Sequence, residues 1–191
     1  PASFALPQVA RESADSQRGT AIHAYLATGD LAAVPEDLRA LCGAIDLDAL
    51  PAGESEIAYS WDPVAGRGER LGSLAGHRDY GRAPGLIYAT ADRVRAGYVG
   101  DYKTGYCYLG APPAANLQLG FLALASSPDG CRVELLHVAE DGAIRAEGAD
   151  LDAIDLAGVA DRVRGIVARV TAAQEQYAAT GRVDVREGAH C

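Results

Sequence analysis

Ala91-Asp92-Arg93-Val94-Arg95-Ala96-Gly97-Tyr98-Val99-Gly100-Asp101-Tyr102-Lys103-Thr104-Gly105 reads as two strands and the turn that joins them. Ala96-Gly97 is a two-residue connection of the kind that closes a hairpin. The first strand reaches back to Leu86 and the second ends at Lys103. In such a hairpin Asp92 and Asp101 lie across from one another, on either side of the turn. Asp101 and Lys103, two residues apart, point to one face of the sheet. Strands are depleted in aspartate, so two acids mid-strand call for a reason. Lys103 calls for one too: the chain has 17 Lys and Arg side chains, and every other one is arginine. The two are not interchangeable, since an ammonium is a compact point charge whose pKa falls readily on burial, whereas guanidinium stays charged.

Outward from the hairpin, residues 13–28 read as an amphipathic helix with Asp15 or Ser13 as cap, Ala21, Ile22 and Leu26 on one face, and Gly29-Asp30 as its stop. A short helix follows over 35–44, then strands over 55–61 and Arg67–Ser73. Pro112-Pro113 opens a helix over 114–126. Strands over 131–138 and 143–147 flank the turn at Glu140-Asp141-Gly142. A long helix over 152–180 carries Ile154, Val159, Val163, Ile166, Val167 and Val170 as its apolar stripe and stops at Gly181. The alternation predicts an α/β fold, helices flanking a central mixed sheet. The expectation is one domain over residues 1–191, with its core at about 13–180 and an irregular tail over 181–191.

Composition narrows the class. In 191 residues, 49% are apolar and 23% charged, as in an ordinary globular protein. No apolar run approaches the roughly 18 residues a bilayer requires, so no membrane partner is expected. Pro1-Ala2-Ser3-Phe4 lacks the basic start of a secretory signal. Cys42, Cys107, Cys131 and Cys191 form no Cys-x-x-Cys pair, which suits a reduced, cytoplasmic setting and gives no complete zinc site. Net charge is −9, the wrong sign for a nonspecific nucleic-acid binder. The charge is uneven, however. Residues 62–110 hold seven cations and five acids, a sum of +2, which leaves −11 for the remainder. The middle of the chain is the part suited to an anion.

His23 in mid-helix, Asp92 on one strand and Asp101 with Lys103 on the next make a set of polar groups with a common chemistry. Two carboxylates with a single imidazole suit Mg²⁺ or Mn²⁺ better than zinc. An ammonium beside that ion can hold a water or neutralise a phosphoryl oxygen. Singly, each group has an ordinary reading: a histidine packed on a helix face, or a solvated cross-strand charge pair.

Order and spacing together carry more. Arg18-Gly19-Thr20-Ala21-Ile22-His23, Ala91-Asp92-Arg93-Val94, Val99-Gly100-Asp101-Tyr102-Lys103-Thr104-Gly105 and Asn116-Leu117-Gln118-Leu119 resemble the motifs of the PD-(D/E)XK nuclease superfamily. The branch they are most similar to holds the RecB-type exonuclease domains and the CRISPR-adaptation exonucleases. The likeness runs from about Arg18 to Ala125. It implies a restriction-endonuclease-like core, with His23, Asp92, Asp101 and the Tyr102 carbonyl as ligands of Mg²⁺ or Mn²⁺. It implies that Lys103 positions the attacking water and that Gln118 approaches substrate or the lysine. Glu56 stands where some relatives place an extra acid. Arg93 and Arg95 could steer phosphates, and Tyr106 could stack on a splayed base.

The chain departs from the pattern twice. Relatives often have Gln-x-x-x-Tyr, and this chain has Leu122 in the tyrosine position. Many relatives also hold a [4Fe-4S] cluster on four cysteines, of which only Cys191 has a counterpart here, so a cluster would need cysteines outside this chain. The function implied is a metal-dependent deoxyribonuclease, an exonuclease on DNA ends or single strands that leaves 5′-phosphate and 3′-hydroxyl products. Its setting would be repair, recombination or defence, beside a helicase or other DNA-processing subunits. The alternatives are a non-catalytic nucleic-acid-binding module of a larger complex and an interaction domain that uses the long helix.

Overall fold

The computed structural model describes residues 14–73, 83–104 and 110–182. Six strands make one mixed sheet: β1 (Glu54–Asp62), β2 (Arg67–Ser73), β3 (Ile87–Arg95), β4 (Tyr98–Lys103), β5 (Gly130–Val138) and β6 (Ile144–Asp152), in spatial order β2-β1-β3-β4-β5-β6. Helices α1 (Ala14–Thr28), α2 (Arg39–Ala44), α3 (Leu117–Ser126) and α4 (Ala153–Thr180) complete the fold. The central hairpin forms as its sequence predicts. Arg93 pairs with Gly100, Val94 with Val99 and Arg95 with Tyr98, and Gly97 turns the chain at φ 68, a conformation that glycine adopts at little cost.

β4 and β5 are parallel, with Asp101 beside Leu135 and Tyr102 beside Leu136. Parallel neighbours cannot be joined by a tight turn, and the connection between them carries α3. This crossover puts Gln118 near the end of β4. Asn116 caps α3 by accepting from Leu119 N at 3.1 Å, so the helix proper starts at Leu117, after a 3-10 turn over Pro113–Ala115.

β4 is central, and from Tyr98 to Tyr102 it is buried without interruption. Ile22, Tyr25 and Leu26 of α1 pack with Leu38, Cys42, Tyr102, Leu136 and Val138 in one apolar cluster, as the predicted helix face requires. Trp61 of β1 meets Phe121 of α3 edge to face at 6.3 Å between centroids. A Cβ on Gly68 of β2 would fall 2.1 Å from the Ala125 carbonyl oxygen, so the glycine permits the close approach of β2 to α3.

Three expected elements differ in detail. The second helix is a 3-10 turn over Glu36–Leu38 that runs into α2. β6 continues past Glu147 to Asp152, because the β5 partners persist as far as Gly130 opposite Asp152. Ile154 is not on the buried stripe of α4: it is 81% exposed, while Leu156, Val159, Ala160 and Val163 are buried. At 100° per residue Ile154 lies about 200° from Leu156, on the opposite side of the helix. Asp152 Oδ1 accepts from Ile154 N and Asp155 N at 2.8 and 2.9 Å, which fixes where the helix begins.

By internal contacts the chain divides into two units, Glu12–Ala160 and the pair of segments Pro1–Arg11 and Asp161–Cys191. The first holds the whole sheet; the described part of the second is the later part of α4. Among the described residues no helix is long and apolar enough to cross a membrane.

Candidate metal centre

The hairpin ladder ends at Arg93 and Gly100. One step further in the same register, Asp92 and Asp101 stand opposite each other, and here side chains take over from main chain. Tyr102 N donates to Asp92 Oδ2 at 2.8 Å. The other oxygen of Asp92 lies 3.4 Å from His23 Nδ1, which α1 brings in from above Tyr102. His23 and Tyr102 meet edge to face at 5.7 Å between ring centroids. At Gly19 the α1 backbone comes near the residue that follows β4, since a Cβ there would lie 3.3 Å from Thr104 Oγ1. The Gly-x-x-x-His spacing therefore places the glycine against the strand end and the histidine, one turn on, beside Asp92.

Asp101 faces the other partners. Lys103 Nζ is 2.5 Å from Asp101 Oδ2, and Gln118 Nε2 donates to Asp101 Oδ1 at 2.9 Å. The Asp101 side chain is only 5% exposed against 23% for that of Lys103. Period-two alternation puts acid and amine on the same face of β4, and the crossover helix supplies the amide.

β1 brings a third acid. It pairs with β3 through Glu54–Val94 and Ser55–Arg93, and again from Ile57–Ala91 onward. Glu56, opposite Asp92 in that register, is skipped, and its backbone adopts φ 55, the only positive φ at a non-glycine among the described residues. A side chain with a Cβ takes that conformation at a cost on the order of 1 kcal/mol, and such positions cluster at functional sites. A ligand atom of Glu56 lies within 4.8 Å of ligand atoms of both His23 and Asp92.

The electrostatics follow from burial among carboxylates. Burial opposes the charged imidazole of His23, yet the hydrogen bond and charge of Asp92, with the charges of Asp101 and Glu56, outweigh it and raise its pKa above 6.5. Asp101 is raised as well, first by burial and also by the Asp92 charge, against the opposing pull of Lys103. Burial pushes the Tyr102 hydroxyl up to about 12, and that hydroxyl is enclosed without a hydrogen-bond partner. An imidazole nitrogen and two carboxylates gathered this closely form a donor set that fits a hard divalent cation.

The structure thus brings His23, Asp92, Asp101, Lys103 and Gln118 into one neighbourhood and adds Glu56, whose importance sequence alone understates. It divides the predicted ligands, however. The close set is His23, Glu56 and Asp92, whereas Asp101 is engaged by Lys103 and Gln118. Gln118 thus meets Asp101, the acid that pairs with the lysine. Arg93 is turned onto the chain: Nε donates to the Pro51 carbonyl at 2.8 Å and Nη1 to Ser55 Oγ at 2.9 Å. Arg95 lies over the Tyr98 ring at 5.0 Å. Leu122 is fully buried in the core, so no tyrosine hydroxyl reaches the site from that turn of α3. Tyr106 and Cys191 lie outside the described residues. Compared with family models, with curated proteins and with solved structures, the chain finds no match.

Proposed function

We propose that the chain is a divalent-cation-dependent deoxyribonuclease built on a restriction-endonuclease-like core. The observation that carries this reading is the convergence of His23, Glu56 and Asp92 within 4.8 Å beside the Lys103–Asp101 pair. Mg²⁺ or Mn²⁺ held there would supply Lewis-acid polarisation of a phosphodiester and offset charge in the transition state. His23, Glu56 and Asp92 provide the ligand atoms. Lys103 presents its ammonium from the end of β4 and orients a water for in-line attack on phosphorus. Asp101 holds that ammonium in place, and Gln118 holds Asp101. Exonuclease action on DNA ends or single strands in repair, recombination or defence, alongside a helicase or another DNA-processing subunit, is the context the motifs favour. The mixed sheet, with β4 parallel to β5 through α3, is compatible with the restriction-endonuclease-like core.

One feature favours a second reading, a non-catalytic nucleic-acid-binding module: both Asp101 oxygens are occupied by Lys103 and Gln118. The two are separated by cleavage of labelled single- and double-stranded DNA with Mn²⁺, Mg²⁺ or EDTA. Metal-dependent cutting that disappears in Lys103→Ala supports the nuclease. Folded protein that binds DNA and cuts none under any metal supports the module.

A further inference from the structure

Glu56 holds a costly backbone conformation, and a conformation of that kind persists only where its surroundings over-determine it. On its C-terminal side the β1–β3 ladder resumes at Ile57–Ala91. On its N-terminal side the chain is gripped by Arg93, which stands directly across from Ser55. The guanidinium donates to the Pro51 carbonyl at 2.8 Å and to Ser55 Oγ at 2.9 Å, two bonds that span the approach to Glu56. The same segment is pressed on β3 at Gly53, where a Cβ would fall 2.7 Å from the Val94 carbonyl oxygen. Without the grip, β1 is free to regain a regular ladder at Glu56. Directly opposed residues of an antiparallel pair share a face, so Glu56 keeps to the Asp92 side in either case. What the grip fixes is the φ 55 backbone from which the carboxylate comes within 4.8 Å of both His23 and Asp92, and a relaxed strand presents it from a different point.

We infer that Arg93 is a positioning residue of the cation site, acting through Glu56 and not through the phosphate of a substrate. This rests on the proposed reading that His23, Glu56 and Asp92 bind a divalent cation. The inference has a distinctive sign. Arg93 is a positive charge next in sequence to Asp92, so by electrostatics alone its removal would tighten cation binding. A positioning role requires the opposite.

The test is Mn²⁺ affinity of the DNA-free protein, by calorimetry or electron paramagnetic resonance, with thermal unfolding of each variant alongside. Arg93→Ala is expected to weaken Mn²⁺ binding by about 10–100-fold, the usual effect of losing a residue that orients a ligand. In a Glu56→Gln background the same Arg93→Ala change is expected to have almost no further effect. Ser55→Ala, which deletes one of the two bonds and keeps the charge, is expected to give a smaller loss that also vanishes in the Glu56→Gln background, and it decides the matter if Arg93→Ala fails to fold. Parent protein that binds Mn²⁺, with Arg93→Ala binding it equally well or more tightly, would overturn the inference and leave the cation site standing. Equal losses with and without Glu56 would also overturn it, since Arg93 would then act on the fold at large. Parent protein that binds no Mn²⁺ would overturn the site itself, and the inference with it.

Discussion

Gln118, on the crossover helix, donates from Nε2 to Oδ1 of Asp101, on the central strand, at 2.9 Å. Asp101 is otherwise held by Lys103, so the pair is a three-part bridge from α3 through the acid to the amine. Helix, carboxylate and ammonium form one unit, and disturbing the amide should be felt at Lys103.

Gln118→Ala removes one donor from a buried carboxylate whose pKa burial already raises. Losing a hydrogen bond to such a group costs about 1.5–3 kcal/mol. Gln118→Glu should be worse than alanine, because it sets a second carboxylate against Asp101. Denaturant unfolding of the two variants at neutral pH should rank them parent, alanine, glutamate. At pH 4 the gap between alanine and glutamate should narrow as the acids protonate. Equal stability of the two variants at neutral pH would show that Gln118 and Asp101 are not in contact.

Lys103→Met keeps the aliphatic stem and removes the charge. Cleavage should fall by roughly 10²–10⁴-fold, the range expected for loss of a group that positions a water or proton. Mn²⁺ affinity should stay the same or rise, because a cation has left the neighbourhood. Lys103→Arg should not restore cutting, since a planar fork cannot present one donor at the same point. A chain in which Lys103→Met cuts at the parental rate has its water held elsewhere.

His23 gives the site a pH dependence whose sign differs with and without metal. Its folded pKa is raised above 6.5, so in the metal-free protein the imidazolium is favoured on folding. That stabilisation is fully present below pH 6.5 and is lost as pH rises through the folded value. A cation needs the neutral imidazole, so Mn²⁺ affinity should rise with pH up to the folded value, by about tenfold per unit, and then level off. Thermal unfolding across that window should therefore decline with pH in EDTA and improve with pH at fixed Mn²⁺. His23→Gln should flatten both curves; two parallel curves in the parent would remove His23 from the site.

The hairpin was readable because two signals agreed, the two-residue connection and the spacing of Asp92, Asp101 and Lys103 on its strands. The faces of α1 followed from Ala21, Ile22 and Leu26 in the same way. Ile154 misled because an apolar side chain near a helix start looks like part of the stripe until the cap at Asp152 fixes the helix register. The far end of β6 is not legible in sequence, because Ala149 and Asp150 say little about strand; its length comes from pairing with β5, a tertiary fact. Glu56 was visible as an acid on a strand, but not as the residue opposite Asp92 in a left-handed conformation. Backbone dihedrals at a non-glycine leave no mark in sequence. Nor did Arg93 look inward: an arginine on a strand reads as a surface cation until Pro51 and Ser55 are known to lie across from it.

Gly19 explains the first half of the Gly-x-x-x-His spacing and supplies a last test. A methyl group at Gly19 would sit 3.3 Å from Thr104 Oγ1, a contact met by a shift of a few tenths of an ångström. Against that, alanine is a better helix former than glycine by about 0.8–1.0 kcal/mol. Gly19→Ala should therefore be close to neutral in stability. Gly19→Val adds branched bulk that cannot clear the strand end, and overpacking of that kind costs about 1–3 kcal/mol. It should also lift α1 from β4 and move His23 off Asp92, so Mn²⁺ affinity should fall with stability. Adding Thr104→Ala opens space below the side chain and should recover part of both losses. Gly19→Val with parental stability and parental Mn²⁺ affinity would mean that α1 does not rest on the end of β4.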